Sequence, residues 1–206
     1  MEEDVVAFDT GPGNMMIDEA MRQFFQKEYD KDGEVARSGK IVDSLFKELQ
    51  KEPYIHAAPP KSTGRELFGK QREFVNNVGY DMLQALAKYK EDGKDIVATL
   101  THFTAWSIAE NIHQFLEGNG NVDEVIVSGG GAHNHLLLEL IQYYMHHAKV
   151  MCQEDLGFSS DAKEAVCFAL LGNETMHLHY SNMKSATGAK EKVILGNITP
   201  AIRRFE

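Results

Sequence analysis

The spacing of apolar residues alternates along the chain between strand-like runs and helical repeats, which predicts an α/β protein. Short β-branched or apolar runs predict strands over residues 5–8, 125–127, 150–153 and 193–195. Apolar residues three and four positions apart predict helices over 15–29, 41–51, 95–117, 136–146 and 162–171, with mixed helical character over 71–90. Polar segments that contain glycine or proline predict loops over 30–39 and 53–69.

The most informative stretch is VVAFDTGPGN, residues 5–14, where a predicted strand leads through an acid and a glycine turn into a helix. Asp9 therefore ends a strand, where open α/β folds place their ligands. Gly11 and Gly13 allow the backbone to approach a bound group, and Asn14 is a candidate N-cap of a helix whose free N–H groups suit a phosphate. Asp-Thr-Gly also fits a plain strand-to-turn junction. A third alternative is an aspartic protease, which would need a homodimer because the chain has one copy.

A second glycine-rich turn, SGGGAHN at residues 128–134, also lies between a predicted strand and a predicted helix. Without side chains, Gly129, Gly130 and Gly131 can lie flat against a nucleotide base or ribose. The pattern is neither GxGxxG nor a Walker loop, and a purely structural turn remains an alternative. Two such turns in one chain, one of them with an acid, favour nucleotide chemistry.

Two further segments have both a structural and a functional interpretation. The basic loop from Lys61 to Arg65 could hold a phosphate or carboxylate, or could be a solvated loop with Ser62 or Thr63 as a helix cap. Asp161 and Glu164 have the spacing of a capping box, which would account for both acids without any function.

Composition limits the class of partner. The 21 Lys and Arg residues against 31 Asp and Glu give a net charge of −10, which argues against nonspecific nucleic-acid binding and an anionic membrane surface. Two cysteines and no transmembrane-length apolar run favour a reduced, cytoplasmic setting. The nine histidines lack the i, i+4 spacing of a helical zinc site, so no metal ligand is predicted.

Seven collinear segments, spread over almost the whole chain, resemble anhydro-N-acetylmuramic acid kinases. They are FDTGPGNMMIDEAM (8–21), RSGKIVDSLFKEL (37–49), PYIHAAPPKSTGRELF (53–68), ATLTHFTAWSIAENI (98–112), VSGGGAHNHLLLEL (127–140), SSDAKEAVCFALL (159–171) and TGA with VILGNITPA (187–201). The resemblance implies the sugar-kinase, Hsp70 and actin superfamily. The expected fold is a ribonuclease-H-like, actin-like ATPase domain with a mixed central sheet flanked by helices. The resemblance covers only the C-terminal half of these kinases, because the GTSxDG phosphate loop of their N-terminal half is absent from this sequence. Residues 1–206 are thus expected to form a single domain.

The resemblance also assigns roles. Asp9 matches the catalytic base, which activates water against 1,6-anhydro-N-acetylmuramic acid while the sugar O6 takes the γ-phosphate of ATP. Gly11, Gly13 and Asn14 match a phosphate loop. Gly129, Gly130, Gly131 and Asn134 match an adenosine loop, and Glu164 matches an acid that faces the sugar; Ser160 stands where the family usually has proline. The expected cofactors are ATP and Mg²⁺, without assigned protein ligands for the metal or assigned roles for Lys61 and Arg65.

Three interpretations follow. The first is a cytoplasmic kinase of cell-wall recycling, with an N-terminal half in trans and a homodimer as expected partners. The second is a nucleotide- or sugar-binding half without turnover, or one subunit of a split kinase. The third is a homodimeric aspartic hydrolase based on Asp9, which would not respond to ATP.

Overall fold

A computed structural model describes residues 5–68, 92–116 and 122–199. The chain divides into two compact units: residues 9–160 form the larger one, and residues 1–8 with 161–206 form the smaller one. Across the described residues, no helix combines the length and the apolar character needed to cross a membrane. The predicted helical stretch 71–90 lies outside the described residues.

The larger unit contains helices and a small parallel sheet, so the α/β class is confirmed. Its elements, in chain order, are α1 (Met15–Phe25), α2 (Glu34–Ser38), α3 (Asp43–Leu49), α4 (Pro53–His56), α5 (Arg65–Phe68), α6 (Gly93–Phe115), β1 (Glu124–Val127), α7 (His135–Tyr144) and β2 (Lys149–Cys152). Strands β1 and β2 pair in parallel, with Val125 opposite Val150. Both strand predictions here are confirmed, as are the helices at α1, α3, α6 and α7, with shifts of one to four residues at their ends.

Helix α6 is the central element of this unit, and it contacts α1, α2, α3, α4 and α7. It begins after Asp92, whose side chain accepts a hydrogen bond from the Lys94 N–H. Phe103 and Leu100 are fully buried, and Phe103 stacks on Trp106 with ring centroids 5.9 Å apart. Neighbouring helices enclose α6 on most sides, which explains why apolar residues occur almost all round it.

The loop predicted over 30–39 is wrong, since the segment folds into a 3-10 turn (Lys31–Gly33) and α2. Asp30, 5% exposed, accepts 2.9 Å hydrogen bonds from the N–H groups of Val35 and Ala36, and so satisfies the free donors of the first turn. The loop predicted over 53–69 is also interrupted, by α4 and α5. Short helices of this kind lack the long apolar repeat on which the prediction relied.

The smaller unit contains α8 (Lys163–Met176) and α9 (Lys184–Thr187). The strands predicted over 5–8 and 193–195 are wrong, because neither segment forms a sheet ladder among the described residues. β-branched residues favour an extended chain, but a strand also needs a neighbour to accept its hydrogen bonds. Val5 and Val6 are instead 42% and 52% exposed.

The capping box predicted for Asp161 and Glu164 is also wrong. The first helical hydrogen bond of α8 runs from the Val166 N–H to the Ala162 carbonyl, so Ala162 occupies the N-cap position. Glu164 is then the second residue of the helix, not the third. Ser160, the residue before Asp161, is held by Glu154. The Glu154 carboxylate accepts hydrogen bonds from the Ser160 N–H at 2.7 Å and from the Ser160 hydroxyl at 2.9 Å.

Candidate active site

The carboxylate of Asp9 is held on one side by the loop that precedes α5. Its Oδ2 accepts hydrogen bonds from the Thr63 N–H at 2.8 Å and the Ser62 hydroxyl at 3.1 Å. Its main chain is fixed as well, because the Asp9 N–H donates to the Lys61 carbonyl and the Tyr54 hydroxyl donates to the Asp9 carbonyl. Asp9 is exposed, and within the described residues its Oδ1 has no hydrogen-bond donor. One oxygen is therefore fixed and the other is open to accept a proton.

Lys61 organises this loop from the inside. Its ammonium donates to the carbonyls of Tyr54 and Ile55 at 3.1 and 2.9 Å, and to Oδ1 of Asn111 at 2.6 Å. Burial lowers the pKa of Lys61. Three acceptors match the three ammonium donors, so this lysine supports the Asp9 loop rather than offering its charge to a phosphate. The cap predicted at Ser62 or Thr63 is wrong, because the Gly64 carbonyl accepts the first hydrogen bonds of α5, from the N–H groups of Leu67 and Phe68, and Gly64 therefore occupies the N-cap position.

A polar stripe on α6 supports the DTGPGN loop from below. Thr104, Ser107 and Asn111 follow an i, i+3, i+7 spacing, which places them on one face of the helix. The Thr104 hydroxyl donates to the Gly13 carbonyl at 2.8 Å, and the Asn111 amide donates to the Thr10 carbonyl at 3.1 Å. Asn111 is fully buried, and its amide group bonds both the Thr10 carbonyl of the DTGPGN loop and the Lys61 ammonium.

Two glycines of this loop are required for different reasons. A Cβ on Gly11 would lie 2.8 Å from the Ser107 hydroxyl and 3.1 Å from Cδ1 of Ile55, so only glycine fits against α6. Gly13 has φ +55° with open space around it, so its requirement is backbone conformation. Together, these two glycines allow the DTGPGN loop to pack closely against α6 and to lead into α1.

The two glycine-rich turns meet at Asn14. This residue precedes α1, as predicted, but its side chain makes no capping hydrogen bond. Its amide instead faces the second turn, 3.8 and 3.9 Å from where Cβ atoms on Gly130 and Gly131 would lie. Gly129 adopts φ +77°, and Asn134 Oδ1 caps α7 by accepting the Leu137 N–H at 3.0 Å.

A cavity of about 530 Å³ opens between these turns. Its lining comprises Asn14, Ile17, Asp18, Tyr29, Asp30, Lys31, Asp32, Gly130, His133 and Asn134. Three of the predicted ligand residues, Asn14, Gly130 and Asn134, are thus brought to one cavity. Its volume lies in the range of small-molecule sites.

Glu164 is an exposed residue of the first turn of α8, in the smaller unit, and its role stays a prediction. The side chain of Arg65 lies outside the described part of the chain. In residues 5–68, 92–116 and 122–199, no three His, Cys, Asp or Glu side chains converge as metal ligands.

Sequence reasoning missed the supporting residues on α6 and the 29–32 segment that lines the cavity. The available signal was polar residues in an otherwise apolar helix. Such residues face inward only when the fold supplies partners, here the carbonyls of Thr10 and Gly13. No pattern of neighbouring residues in the sequence identifies these carbonyl partners.

Comparison with known proteins gives a consistent family. The family model described as anhydro-N-acetylmuramic acid kinase matches residues 1–201. The kinase of that name from Clostridioides difficile (strain 630) is 48% identical over 199 residues, which is 96% of this chain and 50% of the relative. Those from Bacillus cereus strains Q1 and ATCC 10987 are each 46% identical, over 96% and 98% of this chain and 50% and 51% of the relatives. The chain therefore spans about half the length of the curated relatives it matches.

Proposed function

The chain belongs to the anhydro-N-acetylmuramic acid kinase family, and we propose that it supplies the half of such a kinase that carries the general base and the nucleotide loops. The proposed reaction converts 1,6-anhydro-N-acetylmuramic acid, water and ATP to N-acetylmuramic acid 6-phosphate and ADP. The observation that carries the proposal is the Asp9 carboxylate, fixed through Oδ2 and open at Oδ1. A general base needs this combination of fixed orientation and a free acceptor.

Asp9 would act on the water that opens the anhydro bridge. Its Oδ1 takes a proton as the water oxygen bonds to the anomeric carbon and the bond from that carbon to O6 breaks. The released O6 then bonds to the γ-phosphorus of ATP, and ADP leaves. The Thr63 N–H and Ser62 hydroxyl keep the carboxylate oriented and stabilise its charge before the proton moves.

The cavity between the glycine-rich turns suits the nucleoside end of ATP. Gly130 leaves one wall without a side chain, and the exposed ring of Tyr29 lies at the same cavity. Asp30 and Asp32 on the lining would repel a triphosphate, so the phosphates would extend towards Gly11, Gly13 and Asn14. Gly129, Gly131 and Asn134 would then complete the adenosine loop as predicted.

Magnesium would enter with ATP. The described residues do not form a protein cage for it, because no three candidate ligands converge. Mg²⁺ commonly keeps several waters and binds through substrate phosphates, so this part of the chain does not need such a cage.

Family membership supports a proposal for the fold and the cellular setting. The proposed fold is the ribonuclease-H-like domain of the sugar-kinase, Hsp70 and actin superfamily, with residues 1–206 as a single domain. The proposed setting is peptidoglycan recycling in the cytoplasm. Glu164 would face the sugar, and the proposed partners are the other half of the kinase and a second copy of the enzyme.

A second candidate is a binding half without turnover. It is favoured by one observation: the matched region covers only about half of each relative, 50% of the one from Clostridioides difficile. The aspartic hydrolase is the weaker alternative, because the relatives are all named as kinases.

Sugar-dependent release of ADP tests the proposal. The 206-residue chain is mixed with the part of the Clostridioides difficile relative that lies outside the matched region, and each polypeptide is also assayed alone. The kinase predicts ADP release only in the mixture and only with the anhydro sugar. Binding of MgATP without turnover in the mixture would favour the binding half, and neither binding nor turnover would reject both candidates.

A further inference from the structure

One wall of the cavity between the two glycine-rich turns is formed by residues 29–32. The other walls come from α1 with the preceding Asn14, and from residues 130–134. All of these lining residues belong to the larger unit, so the cavity is a feature of that unit alone. The wall at 29–32 brings two carboxylates, those of Asp30 and Asp32, to a cavity of ligand size.

The two carboxylates differ in what they bind. Both oxygens of Asp30 accept main-chain hydrogen bonds, Oδ1 from the Val35 N–H and Oδ2 from the Ala36 N–H, each at 2.9 Å. Asp32 has its Oδ1 3.9 Å from Nδ1 of His135, a separation too long for a hydrogen bond. Asp30 therefore holds the first turn of α2, whereas the Asp32 carboxylate can accept hydrogen bonds from a ligand.

The position of Asp32 is fixed by the close packing of the next residue, Gly33, against the start of α7. A Cβ on Gly33 would lie 2.5 Å from Oδ1 of Asn134 and 2.6 Å from Cβ of Leu136, so only glycine allows this approach. Asn134 itself lines the cavity and belongs to the predicted adenosine loop. The contact therefore fixes Asp32 relative to a residue that is expected to hold the nucleoside.

A carboxylate suits the ribose of a nucleotide better than its adenine base. The 2′- and 3′-hydroxyls are two neighbouring donors, and a carboxylate has two acceptor oxygens to meet them. An acid binds a ribose hydroxyl in this way in dinucleotide-binding folds. In adenine, by contrast, the N6 donor lies beside the N7 acceptor, so the second carboxylate oxygen would meet a lone pair.

We propose that Asp32 accepts hydrogen bonds from both ribose hydroxyls of the nucleotide, and so makes the cavity selective for ribonucleotides over deoxyribonucleotides. This inference rests on the proposed function, in which the nucleoside occupies this cavity and the phosphates extend towards Gly11 and Gly13. Binding of the diol at Asp32 agrees with that direction, because the carboxylate and the triphosphate, which carry like charges, then lie apart.

Calorimetric titration with the magnesium complexes of ATP, 2′-deoxy-ATP and 3′-deoxy-ATP tests this role. The 206-residue chain is titrated alone and in the mixture with the other part of the Clostridioides difficile relative. We expect each deoxynucleotide to bind about tenfold more weakly than ATP, because it lacks one hydrogen bond to a charged acceptor. Magnesium GTP is the fourth ligand, since guanine presents two neighbouring donors that a carboxylate could also bind.

Asp32→Gly and Asp32→Asn are the matching variants. Asp32 adopts φ +55°, a conformation that glycine and asparagine both accommodate, so neither change strains the turn. Asp32→Gly should weaken ATP binding about tenfold and bring ATP and both deoxynucleotides within about twofold of one another. Asp32→Asn keeps one acceptor oxygen and should lose less of the preference. The control is Asp123→Asn, directly before β1 and outside the described lining of the cavity, which should leave every affinity within about twofold.

Equal affinities of the unchanged chain for ATP and both deoxynucleotides would overturn the inference and leave the proposed nucleotide binding intact. An equal loss of affinity for all three nucleotides in Asp32→Gly would also overturn it, because the residue would then only support the turn. Preference for GTP without ribose discrimination would place Asp32 against the base instead. Ribose discrimination without ADP release in the mixture would support the role of Asp32 and count against the kinase. Failure of all four nucleotides to bind, to the chain alone or in the mixture, would reject both.

Discussion

The main-chain N–H of Thr63 donates a 2.8 Å hydrogen bond to Oδ2 of Asp9. This bond joins two segments separated by more than fifty residues, and it leaves Oδ1 as the oxygen without a donor among the described residues. In its proposed role as general base, Asp9 must accept a proton at a fixed position. The Thr63 N–H provides that fixation without using a side chain.

Asp9→Asn should abolish turnover while leaving nucleotide binding nearly intact. The amide keeps the size of the side chain but cannot accept the proton, and loss of a general base typically costs about 10²–10⁴-fold in rate. The measurement is sugar-dependent ADP release by the reconstituted mixture, together with calorimetric titration of MgATP. Ser62→Ala serves as the control and should lower the rate much less, since the Thr63 N–H remains. Wild-type rates in Asp9→Asn would show that Asp9 is not the base.

Asn111→Ala should destabilise the larger unit and loosen the Asp9 loop. The change removes partners of the Lys61 ammonium and the Thr10 carbonyl at a fully buried position, with an expected cost of about 1–3 kcal/mol. Urea unfolding gives the stability, and hydrogen exchange at Asp9 and Thr63 gives the loop. The control is Thr101→Val on the same helix, because among the described residues the Thr101 hydroxyl bonds only the Val97 carbonyl of α6. Equal exchange in both variants would contradict a supporting role for Asn111.

Gly11→Ala should be destabilising, by about 1–3 kcal/mol, because its methyl group would press on Ser107 and Ile55. Thermal unfolding measures the loss. Gly130→Ala is the comparison, since within the described part of the chain a Cβ there meets only the Asn14 amide, at an ordinary 3.8 Å. If both glycines tolerate alanine equally, Gly11 does not rest on α6 as described.

Gly130→Val should weaken binding of MgATP while leaving stability close to that of Gly130→Ala. The larger side chain would enter the cavity near Asn14, and loss of one well-placed contact corresponds to about a tenfold rise in the dissociation constant. Calorimetric titration of the two variants separates this effect from folding. Unchanged affinity in Gly130→Val would place the nucleoside elsewhere.

The sequence predicted the α/β class and the longer helices, whereas the roles of the candidate site residues stay predictions. The glycines and Asp9 were recognisable because their spacing carries local chemistry, and the turns around Asn14 and Gly130 do meet. The capping box at Glu164 failed because the start of α8 depends on which carbonyl makes the first helical bond. The inward role of Lys61 was not predictable either, because its acceptors come from α4 and from Asn111 on α6.

Stability should fall as the pH drops below about 6.5, partly because of His102. Burial lowers the pKa of His102, whose ring lies against Tyr144 on α7 with Nδ1 3.4 Å from the hydroxyl. In the unfolded chain the imidazole has a pKa of about 6.5, so below that pH the unfolded state binds a proton that the folded state does not bind. The free energy of unfolding therefore decreases as the pH falls through about 6.5, until the folded-state pKa is reached. Urea unfolding over a pH series measures this slope, and His102→Gln should flatten it. An unchanged slope in the variant would assign the pH dependence to other groups.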